Sequence, residues 1–159
     1  MTYQQVRDVI SQMRKAHQRI RDALEEPQSE SPDPRTRMML EALQQEEQEL
    51  QKVLARSGAQ EDDGLLDTWL QYVPDEEVQQ VLACMEFAAD MPADEIVARK
   101  REFDQAMADL LRRLADETSV PRVEEFFRRL LENIETRTAQ KAWSLREYQA
   151  EAEPPRQDQ

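Results

Sequence analysis

Glycine, histidine, cysteine and aromatic residues are all scarce in this 159-residue chain, and each shortage removes a class of function. Two glycines leave no phosphate-cradling loop and no nucleophile elbow. One histidine, His17, supplies no catalytic triad that avoids it. One cysteine, Cys84, cannot close an intramolecular disulfide and has no Cys or His neighbour at metal-ligand spacing, so its expected role is that of a small buried hydrophobe. No apolar run approaches the roughly 20 residues that span a bilayer, and the first residues, MTYQQVRDVISQMRKAHQ, lack the apolar centre of a signal peptide. The expected location is therefore cytoplasmic, with no membrane contact.

Bases are outnumbered as well. Thirty-four acidic against 21 basic residues give a formal charge of −13, which repels polyanions unless basic groups collect on one face. They do not collect: Arg112-Arg113 and Arg128-Arg129 stand among acids at helical spacing, as solvated faces do, and no nucleic-acid partner is expected. Carboxylate pairs are so common in such a chain that no single pair points to acid–base catalysis.

What remains is helix-forming material. Charged residues are 35% of the chain and apolar ones 39%, the balance of long amphipathic helices around one core, with no sheet-forming stretch apparent. From residue 3 to 24, Tyr3, Val6, Ile10, Met13, His17, Ile20 and Leu24 recur in steps of three and four and share one face. The prolines of EEPQSESPDP predict the end of that helix, and Asp33-Pro34 predicts a cap and first-turn proline for a second helix to about residue 57. The second stripe is Leu40, Leu43, Glu47, Leu50 and Leu54, with Gly58 as its expected C-terminal glycine.

Residues 58–92 form an expected long crossover. It holds an apolar patch, Leu65 to Val73, expected to pack over the end of the helices, and a short helix from Pro74-Asp75 to about Asp90. A third long helix is predicted from Ala93, with Val97, Lys100, Asp104, Met107, Leu111 and Leu114 inward. A fourth runs from Pro121 to about Tyr148, with Val123, Phe127, Leu131, Ile134, Thr138, Ala142 and Leu145 inward. Residues 149–159 are too polar and proline-rich to pack and are expected to be a disordered tail. The fold class is thus all-α: one domain over 1–148, an antiparallel four-helix bundle of two hairpins, 3–57 and 93–148.

The two hairpins share a layout. With Leu43 set against Leu131, Glu47 and Glu135 follow four residues on; with Ile20 set against Leu111, Met13 falls opposite Asp104. Over LEALQQEEQELQKVL and FFRRLLENIETRTAQKAW this pattern resembles the ferritin-like superfamily, its rubrerythrin-like members in particular. That resemblance implies a paired-metal site. One Glu would come from each of two helices, here the positions of Met13 and Asp104. A Glu-x-x-His would come from each of the others, here Glu47 with Leu50 and Glu135 with Thr138.

Three carboxylates match, while both histidines and one acid are replaced by residues unsuited to hard metal ions. The expectation is a non-catalytic protein with no cofactor, acting through protein contacts as a homodimer or with another protein. The alternative is a metal-binding or redox protein using Glu47, Asp104, Glu135 and His17. A third reading is a helical scaffold unrelated to ferritins.

His17 is expected to be a core histidine bonded to a carboxylate of the next helix, with Lys100 a counterion for Asp104. Together His17, Glu47, Asp104 and Glu135 should form one interior polar layer. Glu46-x-x-Glu49 is expected to turn outward into solvent.

Overall fold

The computed structural model describes residues 4–152 and is helical almost throughout. In chain order the elements are β1 (Gln4–Gln5), α1 (Val6–Glu30), α2 (Pro34–Ala59), α3 (Asp63–Leu66), β2 (Trp69–Leu70), α4 (Glu76–Ala83), α5 (Ala93–Glu117) and α6 (Pro121–Ala152). Among the described residues no helix is long and apolar enough to cross a membrane. The expectation of no strand is corrected by a minimal one: β1 pairs antiparallel with β2, Gln4 opposite Leu70 and Gln5 opposite Trp69. Arg7 reinforces that tie, its guanidinium holding Asp67 at 2.9 and 2.5 Å.

Helix α1 does not stop before Pro27. It carries that proline as a buried residue and continues to Glu30, where Ser31 N–H donates to the Pro27 carbonyl at 2.9 Å. A proline costs a helix one backbone hydrogen bond and crowds the preceding turn, a cost confined here to the last turn and offset by burying the ring. Asp33 then acts as predicted: its carboxylate accepts from Arg35 N–H at 3.1 Å and from Thr36 Oγ1–H at 2.8 Å, with Pro34 in the first turn.

Gly58 does not end α2. It lies inside the last turn with an ordinary helical φ, and Gln60 N–H closes the helix on the Arg56 carbonyl. Nor does α4 reach Asp90: it ends at Ala83, and the chain then turns so that Phe87 is buried. Helix α6 passes residue 148 to Ala152, halting two residues short of Pro154, which cannot continue a helix. The tail expected over 149–159 is therefore helical to 152, and the rest of it lies outside the described residues.

Most positions of the predicted stripes are core, while Leu131, Thr138 and Ala142 of the fourth stripe are only half-buried. Val6, Ile10, Met13, Ile20 and Leu24 of α1 bury against Met39, Leu40, Leu43, Leu50 and Leu54 of α2, and Phe103, Met107 and Leu111 of α5 and Val123 and Phe127 of α6 join them. Burial of each such side chain stabilises by about 1.5–3 kcal/mol, which makes these faces the main source of fold stability. Tyr3, placed on the first stripe, is outside the described residues.

Chain sense follows from the contacts. Helix α1 packs on α2, α5 on α6 and α2 on α6. Pairs such as His17 with Glu47 and Arg21 with Gln44 set α2 antiparallel to α1, and Arg112 with Glu135 and Asp116 with Arg128 set α6 antiparallel to α5. The connections within these pairs, 31–33 and 118–120, are short, and the stretch 60–92 between them is long.

Candidate functional site

The stripes of α1, α2 and α5 converge on one ionic cluster. Its centre is Glu47 of α2, fully buried because it occupies an apolar-stripe position between Leu43 and Leu50. Glu47 Oε2 lies 2.5 Å from His17 Nδ1 of α1, and Oε1 lies 2.5 Å from Lys100 Nζ of α5. One turn along α5, Asp104 Oδ1 also lies 2.5 Å from Lys100 Nζ. The His17 and Phe103 rings meet edge to face, centroids 5.2 Å apart and planes at 86°.

Each charge is tuned by its neighbours. Burial alone would push Glu47 up, but the charge of Lys100, then that of His17, and hydrogen bonds from both hold its carboxyl down at about 2. With Glu47 ionised, His17 Nδ1–H is the donor, and Nε2 is buried without a partner among the described residues. Burial would lower the Lys100 ammonium, yet Asp104, Glu47 and Glu46 outweigh it and raise it, so the lysine keeps its proton. Asp104, 16% of its side chain exposed, is raised by burial, an effect Lys100 partly offsets.

The predicted layer therefore forms around three of its expected members and Lys100. Glu135 is not among them: it lies on the surface, where its Oε1 accepts from Arg112 at 3.0 Å. The reason is register. Leu130, not Leu131, is the fully inward residue of α6, so the counterpart of Glu47 four residues on is Ile134, itself buried. The expectation that Glu135 belongs with Glu47 rests on a repeat aligned one residue too far.

Glu46 corrects the sequence reading in the opposite direction. It is buried, 3% exposed, with Oε1 3.7 Å from Lys100 Nζ, whereas Glu49 is exposed as expected. Helix α2 packs on both α1 and α6 and so buries an arc wider than one stripe. Met39, Leu43, Leu50 and Val53, all buried, mark that second ridge, and Glu46 is its remaining member; the spacing was legible, but the acid disguised it. Burial pushes the Glu46 carboxyl up to about 7, partly countered by Lys100.

A paired-metal site of the kind the resemblance implies does not fit these residues. Met13 and Leu50 are buried apolar side chains, Glu135 faces solvent, and the Lys100 ammonium stands between Glu47 and Asp104. Among the described residues no three His, Cys, Asp or Glu side chains gather as metal ligands.

On the surface, the crossover patch divides. Leu65, Leu66 and Leu70 pack inward, while Trp69 is 61% exposed and Tyr72 42% exposed. These two aromatics, with Leu114, Glu117 and Val120, line a groove of about 240 Å³ at the α5–α6 connection. Cys84 is also exposed, contrary to expectation, because it follows the last residue of α4, two residues and so about half a turn past the buried Leu82. Compared with protein-family models, with curated proteins and with solved structures, the chain matches none.

Proposed function

We propose that α1, α2, α5 and α6 form a ferritin-like four-helix bundle whose metal centre has been replaced by an internal lysine. On this reading the protein is a non-catalytic one that acts in the cytoplasm through protein contacts. In favour of the bundle are the two antiparallel pairs, their short connections and the long crossover between them.

The observation that carries the functional reading is Lys100 Nζ at 2.5 Å from both Glu47 and Asp104. A buried carboxylate, Glu47, and a largely enclosed one, Asp104, call for a cation, and here the chain supplies it covalently, so a metal ion would have to displace a paired ammonium. The contact surface on this reading is the groove edged by Trp69 and Tyr72, since large exposed aromatics are typical of interfaces.

Two measurements test it. Elemental analysis of protein purified without added metal is expected to find no stoichiometric iron or manganese; two metal ions per chain, or an oxo-bridged di-iron absorption band, would overturn the reading. Sedimentation of the full chain is expected to show self-association that Trp69→Ala weakens. A strictly monomeric wild type assigns the contact to a different protein.

A further inference from the structure

Glu46 is the ionisable group that the cluster leaves over. Its Oε1 is buried without a hydrogen-bond partner among the described residues, and the nearest cation, Lys100, is 3.7 Å away and engaged at 2.5 Å by both Glu47 and Asp104. A carboxyl so placed lacks the donor that buried polar groups require.

The same residue lines a cleft of about 160 Å³ between α2 and α6, together with Glu49, Leu50, Arg137, Gln140 and Lys141. Across from Glu46, positive charge is also left over. Arg137 spends its Nε on Asn133 at 3.2 Å, and among the described residues no carboxylate pairs with its guanidinium. Lys141 acts on Glu46 through its charge and, among the described residues, has no closer ion pair. A buried acid without a hydrogen-bond donor and, among the described residues, two cations without a close carboxylate thus line one small cleft.

We propose that this cleft binds a small zwitterion, a free α-amino acid with a short side chain, its ammonium on Glu46 and its carboxylate on Arg137 and Lys141. A simple anion would suit the two cations but meet Glu46 and Glu49, and a simple amine would suit Glu46 but leave the cations unmatched. The cleft is well below the size that takes a drug-sized ligand, and the Leu50 side chain offers a short apolar wall. None of this depends on the ferritin-like reading, since the residues concerned lie on the α2–α6 seam whatever the ancestry of the fold.

Calorimetric titration of the full chain with glycine, alanine and valine, and with acetate, ethylamine and inorganic phosphate as partial mimics, tests the proposal. At least one amino acid is expected to bind one per chain, about tenfold or more tighter than any mimic. Glu46→Gln and Arg137→Gln are each expected to weaken that binding by about tenfold or more while circular dichroism reports unchanged helicity. Arg113→Gln, on α5 and paired with Glu117, should change nothing. Absence of heat with all three amino acids, phosphate or acetate binding as tightly as the best of them, or full affinity in Arg137→Gln, a rim variant that leaves the core intact, would each overturn it.

Discussion

Lys100 Nζ stands 2.5 Å from Glu47 Oε1, a cation from α5 set against an anion from α2 with both side chains shut away from water. Neither charge tolerates the loss of the other. Glu47→Leu would take the acceptor from His17 Nδ1 and strip Lys100 of one of its two close carboxylates. Lys100→Met should cost about 3–5 kcal/mol in urea denaturation, because it leaves Glu47 and Asp104 buried without their counterion. Adding Glu47→Gln, whose amide still bonds His17, should recover part of that loss. A cost for Lys100→Met below about 1 kcal/mol, the value of exposed pairs, would mean the cluster is open to water.

Glu46 should give the protein a stability that falls as pH rises. Its carboxyl is raised from 4.5 to about 7 in the fold, so between those values the folded chain holds a proton that the unfolded chain has lost. The contribution is full below about 4.5 and is gone above about 7. The groups that set it are Lys100 and Asp104 on α5, Glu47 on α2 and Lys141 on α6. Denaturation at about pH 5.5 and about pH 8 should therefore differ by roughly 2 kcal/mol in favour of the lower pH, and Glu46→Gln should abolish most of the difference.

Glu47 works in the reverse sense. Held at about 2 against an ordinary 4.5, it stabilises the fold above about 4.5, and that stability drains as pH falls toward 2. Stability is therefore expected to peak in mildly acidic solution and to fall on both sides. Acid unfolding followed by circular dichroism should shift to higher pH in Lys100→Met, where Glu47 has lost its main partner.

Gly58→Ala should stabilise the protein by about 0.5–1 kcal/mol. The residue is helical, its φ is not positive, and an added Cβ would lie 3.7 Å from the nearest Ile10 carbon, an ordinary contact. Destabilisation on thermal melting would show that α2 ends at Gly58 in solution, as the bare sequence pattern suggests.

Asp33→Ala removes the cap of α2 and leaves Arg35 N–H and Thr36 Oγ1 without their acceptor. A loss of about 1 kcal/mol is expected in the same melts. No change would mean that Pro34 alone sets the start of the helix.

Helical class, the starts of α2, α5 and α6, and most of the inward positions of the four long helices were determined by sequence alone, because three-and-four spacing and capping residues act within a few residues of one another. Ile20, Leu43, Phe103 and Phe127 needed no partner to be recognised as core. His17 and Glu47 likewise declared themselves by standing in apolar stripes. Their mutual bond, and the third point of the cluster at Lys100, followed from the same logic of buried charge seeking countercharge.

Tertiary structure decided the rest, wherever the outcome depended on how many neighbours a helix has or how two helices align. Glu46 is buried because α2 lies against two helices at once, and one stripe cannot report a second partner. Glu135 faces water because α6 sits one residue away from the register that its resemblance to α2 suggests, and a step of about 100° around a helix is enough to turn a core position outward. Pro27 stays helical for a similar reason: burying its ring against neighbouring elements outweighs a local backbone cost that is all the sequence can register.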